Sequence, residues 1–201
     1  MANNVISRNA PDYDPEGTGE HKLILATNSI RNNTLASPDD KHYYEICTWF
    51  WHRNTTKINN LEPDTQVMRT VAEIERVAAG RYRVRFKNGQ PEFGEWISDI
   101  DFLKPTPDGI GGTFTDNEGI EYRWKTHKRN LQLVRVNDEK KTPLLNYNPH
   151  RRYFFVLLMS RHAAWTLKPE LLKMLDRLIV SYILVEKRRR AAHNLLKRSK
   201  Y

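Results

Sequence analysis

The run Leu178-Ile-Val-Ser-Tyr-Ile-Leu-Val185 constrains the possible folds of this chain more than any other stretch. Its flanks carry helix signals. Pro169 suits a first turn, Glu170 complements the positive end of a helix dipole, and residues 186–192 are strong helix formers. Leu171, Met174, Leu175, Leu178, Ile179, Tyr182 and Val185 keep helical spacing, yet between 178 and 185 every other position except Ser181 is apolar too. A helix that is apolar all round must be enclosed all round. A bilayer would enclose it, but a span takes about 20 apolar residues, and Lys173, Asp176, Arg177 and Glu186 bracket far fewer. The remaining enclosure is protein. The spacing therefore predicts a helix over 169–190 threaded through a core that the preceding chain builds.

That preceding chain reads as short strands. Residues 21–27 and 41–51 are rich in β-formers, and Thr55-Thr-Lys-Ile58 is short enough for an edge strand. Residues 66–77 alternate with a period nearer two than 3.6. Arg81-Tyr-Arg-Val-Arg-Phe-Lys87 alternates cleanly and meets the turn signal Asn88-Gly89. Further strands are expected at 96–103, 112–115, 120–126, 131–136, 143–147, 152–159 and 163–167. The polar segments 28–34 and 37–40 read as turns, and residues 1–20, poor in apolar side chains, as a disordered tail. About a dozen strands with turns every 8–12 residues favour an antiparallel barrel or sandwich. A closed barrel of that size has room for a helix where smaller barrels hold only side chains. The expectation is one domain over 21–190 followed by a basic extension at 191–201.

The blocks Thr113-Phe-Thr-Asp-Asn-Glu-Gly-Ile-Glu-Tyr-Arg-Trp-Lys125, Leu131-Gln-Leu133 and Leu175-Asp-Arg-Leu-Ile-Val-Ser-Tyr-Ile-Leu-Val-Glu-Lys-Arg-Arg189 resemble a fungal domain family of uncharacterised function. Its members share a Tyr-x-Trp-Lys strand and a terminal helix block. The resemblance implies the tubby-like architecture of tubby proteins, scramblases and LURP-one-related proteins: a twelve-stranded β-barrel around a hydrophobic C-terminal helix. Two of those three groups act at membranes. The phosphoinositide-binding pair of tubby has no matching positions in this chain, so the resemblance implies no site residue.

Charge is unevenly placed. Residues 121–201 hold 20 Lys+Arg against 6 Asp+Glu, a balance of +14, whereas residues 1–120 hold 13 against 18, or −5. A basic half of this kind suits an anionic partner such as a phospholipid surface or nucleic acid, although a solvated helix end carries the same residues. Candidate anion or lipid contacts are Lys187, Arg188, Arg189 and Arg190 at the helix exit, joined by the turn-adjacent pairs Arg151, Arg152 and Lys128, Arg129. Tyr122-Arg-Trp-Lys125 reads as a core face opposite a solvated one. Asp176 and Arg177, beside the apolar stretch, need partners and are expected to hold the helix in register.

Catalytic patterns are lacking. Gly109-Ile-Gly-Gly112 precedes a strand rather than a helix, the seven histidines show no ligand spacing, and Ser160-Arg-His162 places its pair as sequence neighbours. Asp99 and Asp101 would share one face of a strand, and Cys47 sits in an aromatic stretch suited to burial. With one cysteine no internal disulfide forms, and residues 1–8 show no signal pattern. These features predict an intracellular, cytoplasmic or peripheral-membrane protein that is not an enzyme and uses no cofactor or metal. Its expected partner is an anionic membrane lipid or a protein. A nucleic-acid-binding protein using the basic C-terminal half is the alternative.

Overall fold

The computed structural model of the chain describes residues 19–89, 91–107, 110–128, 130–152 and 160–198. The strand expected at 152–159 apart from Arg152, the tail at 1–20 apart from its last two residues, and Arg129 lie outside that set. Fifteen strands are formed among the described residues. They are β1 His21–Leu25, β2 Asn33–Ala36, β3 Tyr43–Cys47, β4 Thr55–Leu61, β5 Met68–Ala78, β6 Arg81–Phe86, β7 Ile97–Ser98 and β8 Lys104–Pro105. The others are β9 Gly112–Thr115, β10 Glu121–His127, β11 Asn130–Arg135, β12 Pro143–Asn148, β13 Arg151–Arg152, β14 Ser160–Arg161 and β15 Ala163–Leu167. The short helix α1 spans Asp99–Phe102, and α2 spans Leu175–Arg198 after a 3-10 segment over Pro169–Met174. The helix therefore starts later and runs further than 169–190.

Thirteen strands form one antiparallel sheet in the order β7-β6-β5-β4-β3-β2-β1-β15-β12-β11-β10-β9-β8, and β13 pairs with β14 in a separate ladder among the described residues. The expected twelve-stranded barrel is corrected here: the sheet is not closed by hydrogen bonds. Its edges are β7 and β8, two residues each, and Pro105 in β8 has no N–H to give to a ladder. The stretch 99–102, expected as strand, is instead α1, which packs against β6, β7 and β8 at the seam. Two carboxylates favour helix at this point. Asp99 and Asp101 both sit in the first turn, where the dipole is positive. The segment beginning Thr55, expected at an edge, is interior β4, between β3 and β5. Asn33 and Thr34, expected as the end of a turn, open strand β2; Asn33 accepts the Thr27 N–H at 2.8 Å and itself closes that turn.

The sheet curls so that one face of nearly every long strand meets α2. Leu23, Leu35, Ile46, Ile58, Ile74, Val84, Phe114, Trp124, Leu145 and Trp165 are at most 2% exposed, and residues 178–185 at most 3%. The helix that is apolar all round is thus enclosed by protein, as its sequence requires. Tyr122 and Trp124 face inward while Arg123 faces out. On the outer face of β4–β6, Glu73 receives Arg85 at 2.6 Å and Lys57 at 3.7 Å, and Arg83 pairs with Glu75. Arg83 and Arg85 also lie over the Trp96 ring.

Specific polar contacts set the helix register. Ser181, the exception in the apolar run, accepts the Trp124 indole N–H at 2.9 Å and donates to the Leu178 carbonyl at 2.8 Å. The strand motif and the helix block that carry the family resemblance therefore touch each other. Tyr182 sits among Trp124, Tyr147 and Trp165, with ring centroids 5.0–6.1 Å away. Asp176 accepts the Tyr44 hydroxyl at 2.9 Å, and Arg177 donates to Asn117 Oδ1 at 2.6 Å and to the Thr115 carbonyl at 3.2 Å. Both charges have the partners that burial demands.

Burial holds the Asp176 carboxyl above its ordinary 3.8, with the Tyr44 hydroxyl opposing that shift. Such a group contributes most to stability below 3.8, where it is protonated in both states, and its contribution is lost as pH rises through the native value. Tyr44→Phe removes the donor and is expected to cost about 1–3 kcal/mol at neutral pH. The deficit should shrink on acidification through the Asp176 titration. Urea unfolding of the variant and wild type at neutral and acid pH measures both.

Candidate functional site

Antiparallel alternation puts the turns after β1, β3, β5, β7, β10 and β12 at one end of the sheet, and α2 leaves at that end. The exit is tied down by its own cations. Arg188 donates to the Leu103 carbonyl at 3.1 Å and meets the Asp99 carboxylate at 3.4 Å, bracing α2 against the seam. Asp99 also accepts the Tyr82 N–H at 3.1 Å. Buried Glu186 pairs with Arg190 at 3.0 Å and Arg189 at 3.4 Å. Close approach is built into the facing loop: a Cβ on Gly111 would lie 2.5 Å from the Trp124 carbonyl, and one on Gly112 would lie 2.5 Å from Leu103 Cγ.

Beside this exit lies a cavity of about 500 Å³ lined by Ser29, Ile30, Arg31, Arg53, Asn54, Thr56, Arg76, Tyr82, Lys187 and Arg190. Five of these are cations and none is an acid. Arg190 has Glu186 as a partner; Arg31, Arg53, Arg76 and Lys187 make no ion pair among the described residues. Backbone carbonyls hold all four guanidinium groups in place, Arg76 donating to the Ala78 carbonyl at 3.4 Å. Arg31 donates to the Arg53 carbonyl at 3.3 Å, Arg53 to the Phe50 carbonyl at 3.3 Å, and Arg190 to the Asn28 carbonyl at 2.9 Å. The Lys187 ammonium lies 4.2 Å from the Tyr82 ring centre. Burial, then the neighbouring Arg31 and Arg76, push Lys187 down from 10.5 to about 8, with Asp99 pulling the other way. A lysine so placed gains from any anion that enters.

The expected site residues separate in the structure. Lys187 and Arg190 line the cavity, whereas Arg188 and Arg189 are engaged by Asp99 and Glu186. Lys128 is exposed in the turn between β10 and β11, at the same end of the sheet, with a positive φ of 47°. Arg151 and Arg152 form β13, just beyond β12. The basic half of the chain does not own the site: Arg31, Arg53 and Arg76 come from the half with balance −5. Each lies in or beside one of the turns grouped at this end, so a count of strand direction was the signal that could have found them.

Other candidates resolve differently. Asp99 and Asp101 sit in α1, and Asp99 is buried against Arg188. Cys47 is half-buried, and burial pushes its thiol up, away from a reactive thiolate. His150 and His162 pack edge to face, 6.3 Å between centroids. Among the described residues no group of three or more His, Cys, Asp or Glu side chains is placed to hold a metal ion. No helix among them is long and apolar enough to cross a membrane.

Comparison with curated proteins and with solved structures returned no match. Residues 28–191, from the turn that contributes Ser29 and Arg31 to just past Arg190, match a family of unknown function, DUF6593, and the chain belongs to that family.

Proposed function

We propose that this is a non-enzymatic binding module of tubby-like architecture, whose cavity at the helix exit takes the phosphate-bearing headgroup of an anionic phospholipid. One observation carries the reading: four cations gather around a cavity with no carboxylate to neutralise them. Like charges held together repel, and an anion relieves the repulsion. Arginine forks match phosphate oxygens in geometry as well as charge. The volume falls within the range usual for small-ligand sites. On this reading the protein is a peripheral membrane protein acting at the cytoplasmic leaflet, where anionic lipid is found. A nucleic-acid reading draws on the basic C-terminal half, but the cations of the cavity come from both halves and surround a hollow rather than track along a groove.

Vesicle sedimentation tests the proposal. Wild type is expected to pellet with phosphatidylcholine vesicles containing phosphoinositide or phosphatidylserine, less so at high salt, and not with phosphatidylcholine alone. Arg31→Gln with Arg76→Gln removes two charges near the surface, about 1 kcal/mol each, so affinity should fall about 30-fold. Equal binding to neutral and anionic vesicles would sink the reading.

A further inference from the structure

Three apolar tips stand at the helix-exit end of the sheet. Between β3 and β4, Trp49, Phe50 and Trp51 are 60%, 65% and 80% exposed. At the end of β5, next to Arg76 of the cavity, Val77 is 62% exposed. In α1, one residue past the Asp99 that meets Arg188, Ile100 is 57% exposed. Isolated exposed apolar side chains are ordinary; three consecutive aromatics at one tip, with two further tips at the same end, mark an interaction surface. We propose that this end is a bilayer-docking face, in which Trp49, Phe50 and Trp51 enter the interfacial layer of an anionic membrane while the cavity behind them holds a lipid headgroup. The inference rests on the anionic-headgroup reading of the cavity and adds to it the membrane as a surface.

The base of the aromatic loop is built to present its tip. Buried Thr48 donates its N–H to Asn32 Oδ1 at 2.8 Å and its hydroxyl to the Arg31 carbonyl at 3.0 Å, and meets the Thr56 hydroxyl at 2.9 Å. The Arg76 N–H donates to the Asn54 carbonyl at 2.8 Å, and the His52 N–H to the Trp49 carbonyl at 3.1 Å. Ordering a loop so that it exposes three aromatics makes no contribution to the core. Tryptophan favours the membrane–water boundary, where an apolar ring and a polar N–H are both satisfied. The same loop supplies Arg53 and Asn54 to the cavity, so its insertion brings headgroups to Arg31, Arg53, Arg76 and Lys187. Charge complementarity thus names the occupant as an anionic bilayer.

A single-stranded nucleic acid stacking on the aromatics is the competing occupant, and the ring geometry disfavours it. Phe50 and Trp51 meet edge to face, 86° between planes, and the Arg53 guanidinium covers the Phe50 ring at 4.2 Å. Consecutive bases need open, spaced ring faces.

The test uses the full chain, phosphatidylcholine vesicles with and without phosphatidylinositol bisphosphate, and soluble inositol trisphosphate as a headgroup without a membrane. Tryptophan emission should shift to the blue on vesicle addition and be quenched by lipids brominated in their acyl chains. Trp124 and Trp165 are already buried and add little to that change. Trp49→Ser/Trp51→Ser, which leaves the Phe50 ring under Arg53 in place, should lose vesicle affinity at least about tenfold, on the scale of a few buried side chains, and still bind inositol trisphosphate as wild type does. Trp51→Ser alone, at the most exposed position, gives a partial loss and guards against a misfolded double variant. If the double variant binds vesicles like wild type, the docking face is wrong and the cavity reading stands. If wild type binds neither vesicles nor inositol trisphosphate, the cavity reading fails and takes the docking face with it. Quenching by an RNA oligonucleotide but not by brominated lipid overturns the bilayer as occupant.

Discussion

Ile179→Asp is expected to leave no cooperatively folded protein. Ile179 is fully buried, and its helical neighbours Leu178 and Val180 are too. An aspartate at this position buries a carboxylate with no cation in reach, and even its neutral form lacks a hydrogen-bond partner. The cost is at least several kcal/mol, comparable with the whole stability of a domain, about 5–15 kcal/mol. Two companions separate charge from position. Ile179→Val should cost only about 0.5–1.5 kcal/mol, and Ala191→Asp, on an exposed part of the same helix, should cost little. Circular dichroism melts of the three variants measure the series. A soluble Ile179→Asp protein with a sharp melt would mean that α2 is not the centre of the core.

Lys187→Met is expected to do the opposite to stability and to weaken anion binding. Burial and two arginines depress the Lys187 ammonium from 10.5 to about 8, so at neutral pH the native state carries a charge it disfavours. Removing that charge should stabilise the fold by on the order of 1–3 kcal/mol, the upper bound following from the shift and the lower allowing for partial solvation. Methionine keeps the apolar stem that covers Tyr82. The pH dependence has a definite sign. Between about 8 and 10.5 the unfolded chain binds the proton that the native lysine has lost, so wild-type stability rises with pH across that window. The advantage of the variant should therefore narrow there. Headgroup affinity of the wild type should weaken as pH passes upward through about 8, while Lys187→Met shows a flat, low profile. Thermal melts and vesicle binding on the same pH series measure both. A variant that is less stable and binds normally would place Lys187 outside any anion site. Gain of stability on loss of binding is what a site strained for function shows.

The helix was legible because an all-apolar turn leaves few alternatives, and β6 because Arg81-Tyr-Arg-Val-Arg-Phe alternates without interruption. The stretch 96–103 was not, because apolar alternation in Trp96-Ile-Ser-Asp-Ile-Asp-Phe-Leu competes with two aspartates suited to a helix start. Long-range pairing to Arg188 and to the Tyr82 N–H decides between them, and neither is local in sequence. The run of cations 187–190 suggested one patch, but helical rotation sends Lys187 and Arg190 toward the cavity and Arg188 toward the seam. Consecutive residues on a helix do not share a face. Arg31, Arg53 and Arg76 were hidden for a different reason: their grouping depends on strand order, which no one segment carries. Ser181 was visible as an exception to the apolar run, and its meaning was not, since Trp124 donates from a strand far away in the chain.

The pairing of β1 with β15, His21 opposite Leu167, has a consequence for how the chain is made. The two halves of the sheet, β2–β7 and β8–β12, are joined through the strand nearest the start and a strand that emerges late. Until both exist, and until α2 follows them, each half presents an inner face of isoleucine, leucine and aromatic rings with nothing to cover it. Pairings between such distant segments form slowly, because loop closure must precede the contacts that reward it. During vectorial synthesis the nascent polypeptide therefore presents an adhesive surface in want of a holdase while these strands emerge, and its period of greatest hazard ends when α2 leaves the ribosome.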